Sequence, residues 1–203
     1  MSTNRKASHE SIKSIPNCKI ITLDSESCKA YEVAENPFHP AFDLLSEVHR
    51  GDYMQVYLLL HYGGGYTNVK KYDDGEKAKW AKAFETLRAS GAQMVGYPER
   101  PVGGVAYPPN CPRWREATGV CAWVAKRDCI IMRRMMHDIH AFLDGKLDEL
   151  KVHPPSHARD CKEISNYPIE WNQIMGRNFH RISFDYLSEI LRTGARPSFE
   201  LYI

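Results

Sequence analysis

Three groups of residues in this chain have the types and spacing to do chemistry. The first is the stretch "YLLLHYGGGYTNVKKYDD", residues 57 to 74. There Gly64, Gly65 and Tyr66 are followed by Asn68 and Lys70. Glycines let a ligand or another segment come close to the backbone. Just behind them stand an amide oxygen and an ammonium. The second is His180 in "NFHRI", an imidazole flanked by the two guanidinium groups of Arg177 and Arg181. The third is the acidic set Asp160, Glu163 and Glu170, in or beside a long loop before that histidine. Any of the three can serve as a general base. Tyr107, Trp114 and Trp171 can stack on a ligand or pack. His137 and His140 read as a solvated helix face, because Ile131, Met135, Ile139 and Phe142 mark the buried stripe. Asp73 and Asp74 read as turn residues before Gly75.

The order of the flanking elements limits what the glycines can be. A dinucleotide fingerprint or a P-loop needs a strand, then glycines, then a helix. Here the order is helix, glycines, strand, so neither applies. A helix end needs one left-handed glycine, and the extra ones predict a close approach.

The elements that must position these residues follow from periodicity and breakers. "CKIITL" (18–23) reads as a buried first strand, with Thr22 and Leu23 at its carboxyl edge. A helix is predicted from near Pro40, carrying Phe42, Leu45 and Val48 and interrupted at Gly51. A second, apolar helix follows, capped by Asp52 and ended by the glycines. "YTNVK", "AQMVGY", "GVCAWVA" and "FHRISF" read as strands. "GEKAKWAKAFETLRAS" is an amphipathic helix with Trp80, Phe84 and Leu87 as its stripe. Residues 127–150 form one long helix or two broken at Gly145, and "DYLSEILR" a last helix. Alternating strands and helices predict an α/β class with a mostly parallel central sheet flanked by helices. A single domain over 17–203 is expected after a flexible polar lead, 1–16.

Composition narrows the function. A net charge of +2 is too weak to argue for a nucleic-acid or membrane-surface protein. No apolar run approaches ~20 residues, so no membrane span is expected. The N-terminus has no signal-peptide core, and the six cysteines contain no CxxC pair. Free thiols in a reducing, cytoplasmic compartment are the expectation.

An apolar helix beginning with Asp, then Gly-Gly-x-Tyr, then a strand, as in "GDYMQVYLLLHYGGGYTNVK", resembles the donor-site segment of GT-A-fold glycosyltransferases. More closely, it resembles the glycosyltransferase domains of large algal (chlorella) viruses and related capsule-synthesis enzymes. Further matches are "GYPERPVGGVAY", "AWVAKRD" and "YPIEWNQIMGRNFHRI", so the likeness runs from about residue 18 to 185. The resemblance implies a GT-A-like, Rossmann-like domain. It implies transfer of a sugar from a nucleotide-diphosphate donor, with uridine diphosphate as the nucleotide, to a glycan or glycoprotein acceptor, in a host cytoplasm if the protein is viral. It assigns Thr22, Leu23, Asp52, Gln55, Gly64, Gly65, Tyr66 and Lys70 to the donor. Gly103, Gly104 and Val105 fall on the acceptor side, and Asn68 and His180 at a divalent cation, Mn²⁺ or Mg²⁺. Two departures stand out. The family's Asp-x-Asp reads Asn68-Val69-Lys70, and its helix Arg reads Gln55. The first puts metal dependence in question. The loss of both motif aspartates motivates an alternative, a catalytically silent nucleotide-sugar-binding domain. A nucleotidyltransferase on a similar fold also needs carboxylates for metal, so Asn68-x-Lys70 counts equally against it.

Overall fold

The polar lead is not bare chain. In the computed structural model, which describes residues 3–100 and 104–199, it carries helix α1 (Thr3–Lys13). Ile12, and Ile15 just beyond the helix, are buried. The Ser11 hydroxyl donates to the Tyr72 carbonyl and accepts from the Tyr72 amide, which ties the helix down. "CKIITL" is not the first strand. It runs as irregular chain, with Cys18 and Ile20 leaning on the core and Ile21 53% exposed. A β-branched run gains from strand geometry only beside a neighbouring strand, and the sheet offers it none.

The helix expected from Pro40 shrinks to a single 3₁₀ turn, Phe42–Leu44. The next helix, α2 (Glu47–His61), starts before Asp52 and runs through Gly51. Ser46 is its cap, with its side chain accepting from the His49 amide. An interior glycine costs about 1 kcal/mol relative to alanine. Seven buried residues of α2 outweigh it. Gly63 (φ +67°) and Gly64 (φ +96°) then turn the chain into β1 (Gly64–Thr67). A Cβ on Gly63 would stand 2.6 Å from the Arg127 amide nitrogen. The expected close approach is therefore made here by the chain itself.

Asp73 caps α3 (Asp74–Ala89) by accepting from the Glu76 amide. Strands β2 (Met94–Val95) and β3 (Ala122–Ala125) follow, then α4 (Ile130–Asp144) and α5 (Leu147–Val152), separated at Gly145. "FHRISF" is not a strand. A π turn, Gln173–Arg177, leads into α6 (Asn178–Ile182) and a 3₁₀ segment, Ser183–Glu189. Met175, Phe179 and Ile182 are buried at three- and four-residue intervals, a helical pattern that the short apolar run conceals. The expected last helix ends instead in strand β4 (Ile190–Leu191).

The sheet order is β1-β3-β2-β4. β3 runs antiparallel to both β1 and β2, and only β2–β4 is parallel, so the sheet is mixed rather than mostly parallel. A parallel neighbour needs a crossover. Between β2 and β3 the described chain makes 3₁₀ structure (Pro108–Glu116) and an isolated antiparallel bridge, Pro98 with Thr118, and re-enters the sheet in the opposite direction. The protein is mixed α/β, with most of its regular structure helical. Side chains alternate across the sheet. Met94, Trp123 and Ala125 join the larger core with α2, α4 and α6, while Val95, Ala122 and Val124 join a second core with Ile12, Ile15 and α3. Among the described residues no helix is long and apolar enough to cross a membrane.

Candidate functional site

The topology gathers strand ends on one edge of the sheet. β1, β2 and β4 all finish there, and the antiparallel β3 starts there. The edge is built from residues 67–70, 96–100, 117–121 and 192–196, stitched together by backbone. The Asn68 amide donates to the Cys121 carbonyl, Glu99 to Ala117, Gly119 to Tyr97 and Gly96 to Leu191. In open α/β sheets ligands bind beyond the carboxyl ends of strands.

Asn68 and Lys70 lie at this edge as expected, but neither side chain is idle. Asn68 Oδ1 accepts from the Tyr66 hydroxyl at 3.0 Å. Lys70 is 3% exposed, with its Nζ 4.5 Å from the Phe199 ring centroid. Arg100 lies over the same ring at 3.6 Å. Burial, helped by the nearby Arg100 charge, brings the Lys70 ammonium down to about 8. Arg192 donates to the carbonyls of Arg115 and Ala117, and the Arg196 amide donates to a Glu76 carboxyl oxygen. The edge thus carries four cations from three strand ends.

His180 reaches the same edge from α6 and is fully buried. Its Nδ1 accepts from the Ala106 amide at 2.9 Å. That fixes the neutral tautomer, whose Nε2 donates to the Thr118 carbonyl at 3.0 Å. Burial keeps the ring on its neutral side. The Glu99 carboxylate, also buried and pushed upward by desolvation, stands 3.7 Å from Nε2. With both nitrogens spent on backbone, His180 fastens the 104–110 loop to the 118–121 segment. Its own carbonyl accepts from Asn110 Nδ2. Gly104 packs on Glu99, where a Cβ would meet Cγ and Oε1 at 3.0 Å. Val105 is buried, and its carbonyl accepts from the Cys111 thiol. Gly103 lies outside the described residues.

Gln55 is 1% exposed and its amide donates to the Val120 carbonyl, so α2 is tied to the same edge. Asp52 sits one turn earlier on that face. Its side chain is half-buried. Desolvation raises its carboxyl to about 8, and among the described residues it has no hydrogen-bond or ion-pair partner. The Thr118 hydroxyl at the same edge is buried and also lacks a protein partner. Thr118 is thus the buried polar group at this edge that lacks a partner among the described residues, whereas Asp52 is only half-buried.

The other expected residues lie apart from this cluster. Thr22 bonds the His9 ring at 2.8 Å and Leu23 leans on the larger core, both in irregular chain. Gly65 faces α3, and a Cβ there would meet Trp80 and Phe84 at 3.0 and 3.1 Å. Asp160, 1% exposed, clasps its own loop. It accepts from the Ser156 amide, the Ser156 hydroxyl and the Ser165 hydroxyl at 2.6–2.8 Å. Burial works against ionisation, but these bonds prevail and hold the carboxyl at about 2. Glu163 accepts from the Trp171 amide, and Glu170 pairs with Arg177 at 2.7 Å.

Glu99, Arg100, Thr118, Cys121 and Phe199 belong to the site but were not singled out from sequence. The one available signal was the Glu-Arg pair inside "GYPERP", where a carboxylate and a guanidinium follow directly on a strand. The donor set does not suit a divalent cation. Asn68 and His180 are committed to other partners, and among the described residues no group of three or more His, Cys, Asp or Glu could hold a metal ion. Taken as a whole, the edge can receive an anionic ligand against Lys70 and Arg100, and a hydroxyl against Asp52. No family model, curated protein or solved structure matches this chain.

Proposed function

We propose that the protein is a glycosyltransferase of GT-A-like architecture that binds a uridine-diphosphate sugar at the strand-end edge. In this reading the sugar passes to a hydroxyl of a glycan or glycoprotein acceptor in the cytoplasm. What supports it is the convergence on one edge of Lys70 and Arg100, Gln55 tied to Val120, and the partnerless Asp52 one turn away. The bond from the anomeric carbon to the diphosphate breaks, the acceptor oxygen takes its place, and the hydroxyl proton passes to an oxygen of the departing diphosphate. Negative charge grows on the departing diphosphate, so fixed cations there are the main catalytic contribution. Lys70 and Arg100 supply them without a metal. Asp52 takes a ribose or sugar hydroxyl, which gives its carboxyl the partner it lacks. The Phe199 ring must swing off the two cations for phosphate to reach them.

A second reading, a nucleotide-sugar binder without turnover, is favoured by a separate observation. Asp160, Glu163 and Glu170 are each tied down by local bonds, so none of them stands ready as a base. Thermal unfolding with nucleotides tests the shared part of both readings. A ligand at ~100 times its Kd adds about 2.7 kcal/mol to stability. Uridine diphosphate should raise Tm by several degrees, more than other nucleotides do. An unmoved Tm at saturating uridine diphosphate, with a rise from another nucleotide, would refute the donor assignment.

A further inference from the structure

A concave site lies on the far side of α2 from Asp52 and Gln55. Residues 57, 60 and 61, which line it, fall nearly half a turn away from 52, 55 and 59. A cleft of about 480 Å³ opens there between the segment 35–40, the end of α2 and α4. That volume suits a small molecule. Its floor is apolar: Phe38, Tyr57, Leu60 and Met136. Its walls are held rigidly. The Tyr57 hydroxyl donates to the Asn36 carbonyl and accepts from the Val33 amide, and the Tyr53 hydroxyl accepts from the His39 amide. Two prolines, Pro37 and Pro40, stiffen the same segment.

Four imidazoles meet in this cleft, and their commitments differ. His39 is spent, accepting from the Ala41 amide at Nδ1 and facing Asp144 at 3.1 Å through Nε2. His140 bonds the Tyr53 hydroxyl through Nε2 alone, which leaves Nδ1 open. His61 packs on the Tyr57 ring at 4.4 Å, and neither it nor His137 has a hydrogen bond among the described residues. Arg133 lines the cleft beside them and pairs with Asp128 at 3.3 Å. No three of these groups are arranged to hold a metal ion.

The charges facing the imidazoles come from every wall. Glu35 belongs to the 35–40 segment, Arg127 and Asp128 lie beside His61, and α4 contributes Arg133 and Asp144. With the rings neutral, two guanidinium groups face three carboxylates. With His61, His137 and His140 protonated, the cleft becomes clearly positive. Burial, assisted by neighbouring positive charge, holds His61 and His140 below their ordinary range. An anion in the cleft would pull them back up.

We propose that this cleft binds a small oxyanion with an apolar body, a carboxylate or phosphate on a flat or aliphatic group, and takes up imidazole protons as it does so. The apolar floor receives the body. His61, His137, the open Nδ1 of His140 and Arg133 receive the oxygens. Binding coupled to uptake of one proton makes affinity fall by up to tenfold per pH unit above the imidazole range.

The test uses the full chain, with benzoate and phenyl phosphate as probes and phenol as the neutral control. Imidazole signals are followed by NMR at pH 6 and pH 8. Benzoate keeps one charge throughout, so its affinity isolates the protein's titration. The expected result is saturable movement of the His61, His137 and His140 signals. Benzoate should bind at least about tenfold more tightly at pH 6 than at pH 8, and phenol should not bind. Comparing the two anions at pH 6 tells a carboxylate site from a phosphate site. A double variant, His61→Gln with His137→Gln, changes exposed or half-exposed positions and should weaken both anions at least tenfold with Tm preserved. Three outcomes would overturn the proposal: no saturable movement, equal benzoate affinity at the two pH values, or undiminished binding in the folded double variant.

Discussion

Replacing Asp52 by Asn should stabilise the protein, and the gain should grow with pH. The folded carboxyl titrates near 8 against an ordinary 3.8, with burial as the cause. Above pH 4 the unfolded chain releases this proton while the folded chain keeps it. The folded state therefore binds more protons, and stability falls as pH rises from about 4 to about 8. At ~1.4 kcal/mol per pH unit the loss is capped at ~6 kcal/mol. The side chain keeps some contact with water, and solvent screening reduces this to about 1–3 kcal/mol. Asn has the same shape and no charge to desolvate, so Asp52→Asn should gain about that much at pH 8 and almost nothing at pH 4. Urea unfolding of parent and variant at pH 4, 6 and 8 measures it, because every other titrating group cancels in the difference. A variant no more stable than the parent at pH 8, or a gain independent of pH, would refute the claim that a carboxyl is held here against its own solvation. Strain of this kind is tolerated where function needs it, so the same variant should also bind a uridine-diphosphate sugar more weakly.

Lys70→Met should likewise stabilise at pH 7 and lose its advantage by pH 10.5, since the folded ammonium is held near 8. Calorimetric unfolding across that range checks it. Phe199→Ala should tighten uridine diphosphate binding roughly 2- to 30-fold by removing a ring contact worth about 0.5–2 kcal/mol from Lys70 and Arg100, read by titration calorimetry. Asp160→Asn should cost about 2 kcal/mol at pH 7. The cost should shrink as pH falls from about 4 toward 2, because a carboxyl depressed to about 2 stabilises only while the unfolded one is ionised. Gly63→Ala should destabilise by more than 1 kcal/mol in urea unfolding, since its φ is left-handed and the new Cβ meets Arg127 at 2.6 Å.

Periodicity was enough for the strongly patterned elements. The helix around Trp80 and Leu87, the strand around Trp123 and the break at Gly145 are all where the sequence suggests. It failed where a short apolar run carries no period of its own. "CKIITL" has strand propensity but no neighbouring strand, and "FHRISF" is a buried helical turn. Strand direction was illegible for another reason. Whether the chain crosses the sheet or turns back depends on how residues 96–121 fold, and a proline-rich loop carries no periodic signal. At the site, Asn68, Lys70, Gln55 and His180 were visible as chemical types, and the fold brings them to one edge. Glu99, Arg100 and Phe199 were not, because their roles come from packing between segments far apart in sequence. The glycine run was legible as a close approach, but not the identity of what approaches. Arg127 and the α3 aromatics fill that space.

A crystal structure of the protein soaked with uridine diphosphate and Mn²⁺ tests the central claim most directly. The account predicts the diphosphate within hydrogen-bond distance of Lys70 and Arg100, with Phe199 displaced from both. It also predicts Asp52 within reach of a ribose or sugar hydroxyl, and no metal held between Asn68 and His180. Uridine diphosphate bound away from the strand ends, or in the histidine cleft behind α2, would contradict it.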